Sequence, residues 1–274
     1  MTERKKRTGT EARPPKSGKA PLKFRKKDVV VAIVHYNTPE LTYACIGSLL
    51  KNGGIYKCMK EMKVVVFDNS DQRPMECPPT GVIRLDNTKG QIIDFDKELE
   101  KFPDRCPEIG CAKGCEYGSA KHMMTVQKLW ELIPNGFILM ESDILIKKPI
   151  DHMVRHEYSF VGYYQKAQPY NPFNIGRILP MLCWMNVPLL TKYGAKYFDP
   201  ERTYGLLPGG NDNRKNWYDT GAVMLEDILS KRPNLKGLHE DIRPLVEHFG
   251  AASWKNNDLD AQLAWIERNK DLIV

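Results

Sequence analysis

Two β-branched runs bracket one amphipathic helix near the start of this chain, and that arrangement narrows the fold more than any other feature. Asp28 to Val34 reads DVVVAIV. A strand apolar on both faces is buried on both, as in parallel sheets covered by helices. It ends at His35-Tyr36-Asn37-Thr38-Pro39-Glu40. Thr38 is placed to cap a helix, Pro39 to begin it and Glu40 to meet its dipole. Leu41, Ala44, Cys45, Ser48 and Leu49 then share one face of a helix over residues 39–51, which Gly53-Gly54 ends. Lys63 to Phe67, KVVVF, is a second buried strand and stops at Asp68-Asn69-Ser70-Asp71. Strand, helix, strand in this order predicts a right-handed parallel crossover. Ligands of such sheets sit beyond the carboxyl ends of the strands, so residues 35–38 and 68–70 belong to the binding edge. Neither loop carries GxGxxG or a Walker lysine, which argues against a dinucleotide or P-loop site. Val82 to Leu85 continues the pattern as a third strand. The expected fold class is α/β, with a mostly parallel central sheet and helices on both faces.

The second constraint is residues 137–150, FILMESDILIKKPI. An apolar run leads into Glu141-Ser142-Asp143, and a shorter one leads away to Lys147-Lys148-Pro149. Carboxylates at i and i+2 point to the same side of an extended chain. Burying two acids side by side is costly unless a cation lies between them. Hard cations such as Mg²⁺ and Mn²⁺ take oxygen ligands and are often shared with a substrate phosphate. Glu141-x-Asp143 therefore reads as the metal site of an enzyme that handles a nucleoside diphosphate.

Composition sets the remaining bounds. The 274 residues fit one α/β domain with insertions, and 42% hydrophobic content is ample for a core. No apolar run reaches the roughly 20 residues of a membrane span, and the basic N-terminus has no apolar stretch behind it. Seven cysteines cannot all pair, which fits a reducing compartment. A cytoplasmic location is the expectation. The net charge of +7 lies in the first 27 residues, which hold 11 Lys/Arg against 2 Glu and few apolar groups. Residues 1–27 read as a basic disordered tail, able to touch anionic lipid on the inner face of a membrane. Residues 28–274 read as the folded domain, with a nucleotide-binding half to residue 150 and an acceptor half beyond. With 30 basic and 32 acidic side chains, that part carries no footprint for specific nucleic-acid binding.

Further along, Cys106, Cys111 and Cys115 with Cys77 or His122 are a possible zinc set, in a spacing unlike the common fingers. Residues 119–133 have a helical pattern. Residues 158–164 and 181–187 read as strands, 169–180 as loop, 188–193 as a short helix and 205–213 as a flexible loop. Another helix follows Gly221, and 259–268 is a terminal amphipathic helix.

Taken in order, VVVAIVHYNTPELTYACIGSL, VVVFDNSD, FILMESDILIKKPI, WYDTGAVML and EHFGAASW resemble the GT-A class of nucleotide-sugar glycosyltransferases, near the large inverting family 2. The resemblance spans roughly residues 28–254. Glu141 stands where that family usually has Asp. The resemblance implies a GT-A, Rossmann-like fold and transfer of a sugar from a nucleoside diphosphate sugar, UDP-linked in the first instance, to a saccharide or glycolipid. It implies a base seated against His35, Tyr36, Asn37 and Thr38, with Asp68 accepting from a ring N–H beside Asn69. It implies Mn²⁺ or Mg²⁺ held by Asp143, with Glu141 and His248 completing the set. Inverting transfer needs a general base, for which Asp219 and the Glu240-Asp241 pair, Asp241 in particular, are the candidates. Two other readings stand beside it: a nucleotidyltransferase that makes the nucleotide sugar, and a non-enzymatic binding module.

Overall fold

A computed structural model describes residues 22–24, 28–54, 62–100, 113–166, 176–203, 220–250 and 258–273. The strands are β1 (Val29–His35), β2 (Met62–Asp68), β3 (Val82–Asp86), β4 (Phe137–Glu141), β5 (Ile144–Ile146), β6 (Phe160–Gln165), β7 (Arg177–Met185), β8 (Gly237–His239) and β9 (Val246–His248). The helices are α1 (Pro39–Asn52), α2 (Phe95–Glu100), α3 (Lys113–Leu132), α4 (Val187–Lys192), α5 (Pro200–Thr203), α6 (Ala222–Ser230) and α7 (Leu259–Arg268).

Seven strands form one sheet in the order β3-β2-β1-β4-β7-β6-β8, and β5 pairs with β9 in a small second sheet. The pairs β3·β2, β2·β1, β1·β4 and β6·β8 are parallel, while β7 runs against both neighbours. The sheet is thus mostly parallel, as the β-branched runs predict. Every strand of this sheet except β7 brings its carboxyl end to one edge. The chain steps outward from β1 to β2 to β3, then returns to lay β4 on the other side of β1. That reversal of strand order opens a crevice between β1 and β4.

Helices cover both faces. On one, α3 brings Met123, Val126, Leu129 and Trp130, and α6 brings Met224, Leu225 and Ile228, against Val30, Ala32, Phe67 and Leu139. On the other, Cys45, Ile46 and Leu49 of α1 pack with Val31, Ile33, Ile138 and Ile144. Burying each large aliphatic side chain contributes about 1.5–3 kcal/mol, which holds these helices against the sheet. A third cluster, Leu41, Ala44, Leu145 and Trp265, ties α7 to the outer side of α1 and β5. Helix α1 also grips β5 by its backbone. Ser48 Oγ accepts from Ile146 N–H at 2.9 Å, and Asn52 donates to the Ile146 carbonyl at 2.9 Å.

Four details differ from the sequence reading. Leu22 donates to the Leu132 carbonyl at 2.9 Å, and Leu22 and Phe24 pack on the core, so the folded body reaches back at least to Leu22 rather than Asp28. Thr38 makes no side-chain cap; instead its carbonyl accepts from Thr42 N–H and Thr42 Oγ1, both at 3.1 Å. Gly54, with φ of 75°, takes the left-handed turn after α1, whereas Gly53 stays helical. Finally, β7 begins at Arg177, four residues inside the expected loop, and runs through Pro180. Proline is tolerated there because β4 pairs only with residues 182–185 and the β6 ladder shifts register between Gly162 and Tyr164. Residues 1–21, 205–213 and the remaining parts of the expected tail lie outside the described residues.

Candidate metal and nucleotide site

Glu141 ends β4, the chain turns through Ser142 and Asp143, and β5 follows. Antiparallel pairing of β5 with β9 sets Ile144 opposite His248, and Phe249 N–H bonds the Asp143 carbonyl at 2.9 Å. A three-residue strand late in the chain thereby carries a histidine to the acidic turn. His248 Nε2 lies 3.5 Å from Asp143 Oδ2 and 3.9 Å from Glu141 Oε2. One ligand atom from each of the three fits within a 4.8 Å cluster, so the donor set suits one divalent ion. Asp143 is nearly buried, and His248 keeps about a third of its side-chain surface. The three expected metal ligands are therefore brought together.

Burial of His248 would lower its pKa. The hydrogen bond and charge of Asp143, followed by Glu141 and Glu247, outweigh that and hold it above the ordinary 6.5. The sign follows. A group raised in the folded state stabilises fully below its unfolded pKa, and the contribution is lost as pH climbs through the folded value. A metal must displace the same proton, so its affinity changes in the opposite sense. Mn²⁺ titrations are expected to show tighter binding at about pH 8 than at about pH 6, with most of that slope absent in His248→Gln. An equal slope in both proteins would assign the titration to another group.

The first two crossover loops meet beside this cluster. His35 pairs with Asp68 and Val34 with Glu141, which sets Asp68 and Glu141 two strand spacings apart, about 10 Å. Here the side chains do different work from what the resemblance implies. Asp68 has no exposed surface. Arg84 holds its Oδ2 through Nε at 2.8 Å and Nη2 at 2.7 Å, and Met75 N–H adds a third bond at 3.0 Å. Ser70 N–H bonds Oδ1 at 3.0 Å. A carboxylate so enclosed is a hub of the fold, and no base N–H reaches it in this state. His35 is also fully buried, with Nδ1 2.7 Å from Thr42 Oγ1 and Nε2 3.8 Å from Asp68. Burial lowers its pKa, against the pull of the Asp68 charge.

Asn37 has φ of 55°, a left-handed turn that asparagine tolerates better than most residues. Its Oδ1 accepts from Gln72 and Arg73 N–H at 3.0 and 2.9 Å, and its Nδ2 donates to Asp71 at 2.5 Å. Tyr36 donates to the other oxygen of Asp71 at 3.0 Å. Thr38 is buried, and Asn69 is bonded to Thr125 and Asn87. Of the expected nucleotide loop, then, Tyr36 and the unpredicted Asp71 face outward, while His35, Asn37, Thr38 and Asp68 are turned into the fold. Arg84 was missed because a lone arginine in VIRLD reads as a solvent-facing strand residue.

Asp219 lies outside the described residues, as do Cys106, Cys111 and the side chain of Cys115. Cys77 is exposed and unbridged, and His122 packs near the Tyr197 ring, with centroids 6.5 Å apart. Asp241 is exposed and held by Arg243 through two bonds of 2.8 and 2.7 Å, which pull its pKa down to about 2. So low a value makes it a weak proton acceptor. Glu240 faces His152 at 2.5 Å.

No protein-family profile matches this chain, and no curated protein matches it. Similar solved structures are glycosyltransferases by their own descriptions. Mouse xyloside xylosyltransferase 1, apo form, shares 12% identity over 78% of this chain and 86% of its own, with a TM-score of 0.46. The apo WbbM bifunctional glycosyltransferase shares 10% identity over 81% of this chain, with a TM-score of 0.42. GlyE of Streptococcus pneumoniae TIGR4 shares 9% over 90%, with a TM-score of 0.40. The matches span 40% of WbbM and 64% of GlyE. Likenesses this distant carry no functional weight; the side chains of the site have to.

Proposed function

We propose that this protein is a metal-dependent glycosyltransferase, moving a sugar from a nucleoside diphosphate sugar, UDP-linked in particular, to a hydroxyl of a saccharide or glycolipid. The observation that carries this is the convergence of Glu141, Asp143 and His248 at the carboxyl end of β4, beside the strand-order reversal. Two carboxylates and an imidazole suit Mn²⁺ better than Mg²⁺, which prefers oxygen alone. A divalent ion held there neutralises charge on the departing diphosphate.

The chain's own groups take the other roles. Tyr36 offers an aromatic face and Asp71 an acceptor to the base, on loops locked by Asn37 and Asp68. For the general base we favour Asp219 over Asp241, whose carboxylate Arg243 already holds. Asp219 precedes Gly221 by two residues. Gly221 has φ of 77° and presses so closely on the Ile178 carbonyl that a Cβ would collide with it. Ile178 lies at the amino end of β7, on the same sheet edge as Glu141. The test is donor turnover: slow Mn²⁺-dependent hydrolysis of a UDP-sugar, with a thermal shift that needs Mn²⁺ and nucleotide together. Binding without turnover would favour a transferase-like binding module, and neither would remove the proposal.

We place the protein in the cytoplasm, with the basic N-terminal segment touching anionic membrane. Among the described residues no helix is long and apolar enough to cross a membrane. Residues 1–21 carry seven Lys/Arg. Each that reaches the surface contributes about 1 kcal/mol at low salt. Deleting residues 1–21 is expected to abolish salt-sensitive binding to phosphatidylserine vesicles in a flotation assay, while transfer to a soluble acceptor persists. Equal flotation of both proteins would dismiss the membrane role.

A further inference from the structure

A second concavity lies on the same sheet edge, beyond β4 and β7. The carboxyl ends of β6 and β8 and the segment after β8 enclose an open cleft of about 730 Å³. Its apolar floor is Met181 and Ile242, and its walls are Tyr163, His239, Arg243 and Lys166. Tyr163 is fixed from two sides. The His239 ring lies 5.1 Å away at 59°, and the Arg243 guanidinium lies over the tyrosine ring at 5.4 Å.

The polar groups are fixed as well. His239 Nδ1 accepts the Tyr164 backbone N–H at 3.0 Å, so the proton of the neutral ring sits on Nε2. His239 is exposed, and Nε2–H is its remaining donor. Arg243 gives Nε and Nη2 to Asp241, which leaves Nη1 outside that fork. Lys166 is exposed at the rim. No carboxylate is among the described side chains that line the cleft; Asp241, outside that lining, is paired with Arg243. An apolar floor, a fixed aromatic ring and the N–H donors of His239, Arg243 Nη1 and Lys166 make a site for a ring-shaped, partly apolar ligand bearing an oxyanion.

We propose that this cleft binds the acceptor, and that the acceptor is an anionic saccharide, recognised through a sugar carboxylate or sugar phosphate. The inference rests on the glycosyltransferase reading and deepens it. Four residues separate Arg243 from His248, so their Cα atoms lie at most about 17 Å apart. An oxyanion at Arg243 thus belongs to the accepting sugar or to one a residue or two away.

Isothermal titration of the full-length protein with Mn²⁺ and UDP present tests this. The probes are methyl glucuronide, glucose 6-phosphate, neutral methyl glucoside and inorganic phosphate. At least one of the two anionic sugars is expected to bind ten times or more tighter than methyl glucoside and than inorganic phosphate. Whichever binds tighter identifies carboxylate or phosphate as the source. Arg243→Gln and His239→Gln are expected to remove that preference. Both side chains are exposed, so folding survives, and Mn²⁺ and UDP affinities should stay unchanged in both. Equal binding of neutral and anionic sugars, or preference retained in both variants, would overturn the proposal. Phosphate binding as tightly as the sugars would overturn the saccharide assignment. Loss of Mn²⁺ and UDP binding in the native protein would instead defeat the glycosyltransferase reading, and is seen separately because those titrations contain no sugar.

Discussion

Asp143→Asn is expected to lower Mn²⁺-dependent transfer or donor hydrolysis roughly a thousandfold, about 4 kcal/mol in the transition state. Asparagine keeps the shape of the side chain and one oxygen, but removes the charge nearest to His248. Two charges of the three-residue set then become one, and Mn²⁺ affinity falls with them. In the native protein, Mn²⁺ at about 100 times its Kd should add about 2.7 kcal/mol to stability, and most of that should vanish in the variant. The metal-free protein behaves differently. His248 lies within 4 Å of both acids, so at low pH the substitution costs an ion pair, while at high pH it relieves repulsion with Glu141. The metal-free melting temperature should therefore change little near neutrality. Glu141→Gln is expected to be the milder change, since Glu141 is the farther acid from His248. If Asp143→Asn stays active, and Mn²⁺ shifts its melting as much as that of the native protein, the metal lies elsewhere.

The contrast between those two acids and Asp68 shows where sequence reasoning reaches and where it stops. The β-branched runs of β1 and β2 leave no alternative to burial, so strand, crossover and binding edge follow from composition alone. Glu141-x-Asp143 was legible for a related reason: two acids inside an apolar run need a cation, whichever fold surrounds them. His248 had no such signal of its own. Strands β8 and β9 are three residues each, too short for any periodicity, and β9 gains its place by pairing with β5 and burying Val246. Asp68 looked like Asp143, an acid at the end of a buried strand, yet its partner is Arg84, sixteen residues later on a different strand. Parallel pairing of β2 with β3 creates that contact. Nothing local in FDNSD distinguishes an acid that meets a ligand from one that meets an arginine. The cleft of Tyr163, His239 and Arg243 escaped for the same reason, since its lining comes from three separate stretches of chain.

Asp68→Asn puts the difference to an experiment, and it is expected to destabilise the protein by roughly 3 kcal/mol. The carboxylate accepts from two backbone N–H groups and from the Arg84 fork, all at 2.7–3.0 Å and with no exposed surface on Asp68. An amide in its place has one acceptor and turns an NH₂ towards a donor, so a buried N–H loses its partner while Arg84 loses its counter-charge. In a chain of this size the melting temperature should fall by about 6–12 °C. Arg84 is partly exposed, so water recovers some of its loss, and the cost falls below the upper end for fully buried pairs. The loops of β1 and β2 share this hub through Ser70, which also accepts from Asn37 N–H at 2.9 Å. Loosening it should therefore raise the KM for the donor as a secondary effect, in step with the fall in stability. The partner substitution gives the control: in Asp68→Asn combined with Arg84→Met, the two losses should be less than additive, because the second removes a charge the first left unpaired. Were Asp68 instead the group that accepts a base N–H, Asp68→Asn would raise the donor KM at an unchanged melting temperature, and Arg84→Met would add to it independently.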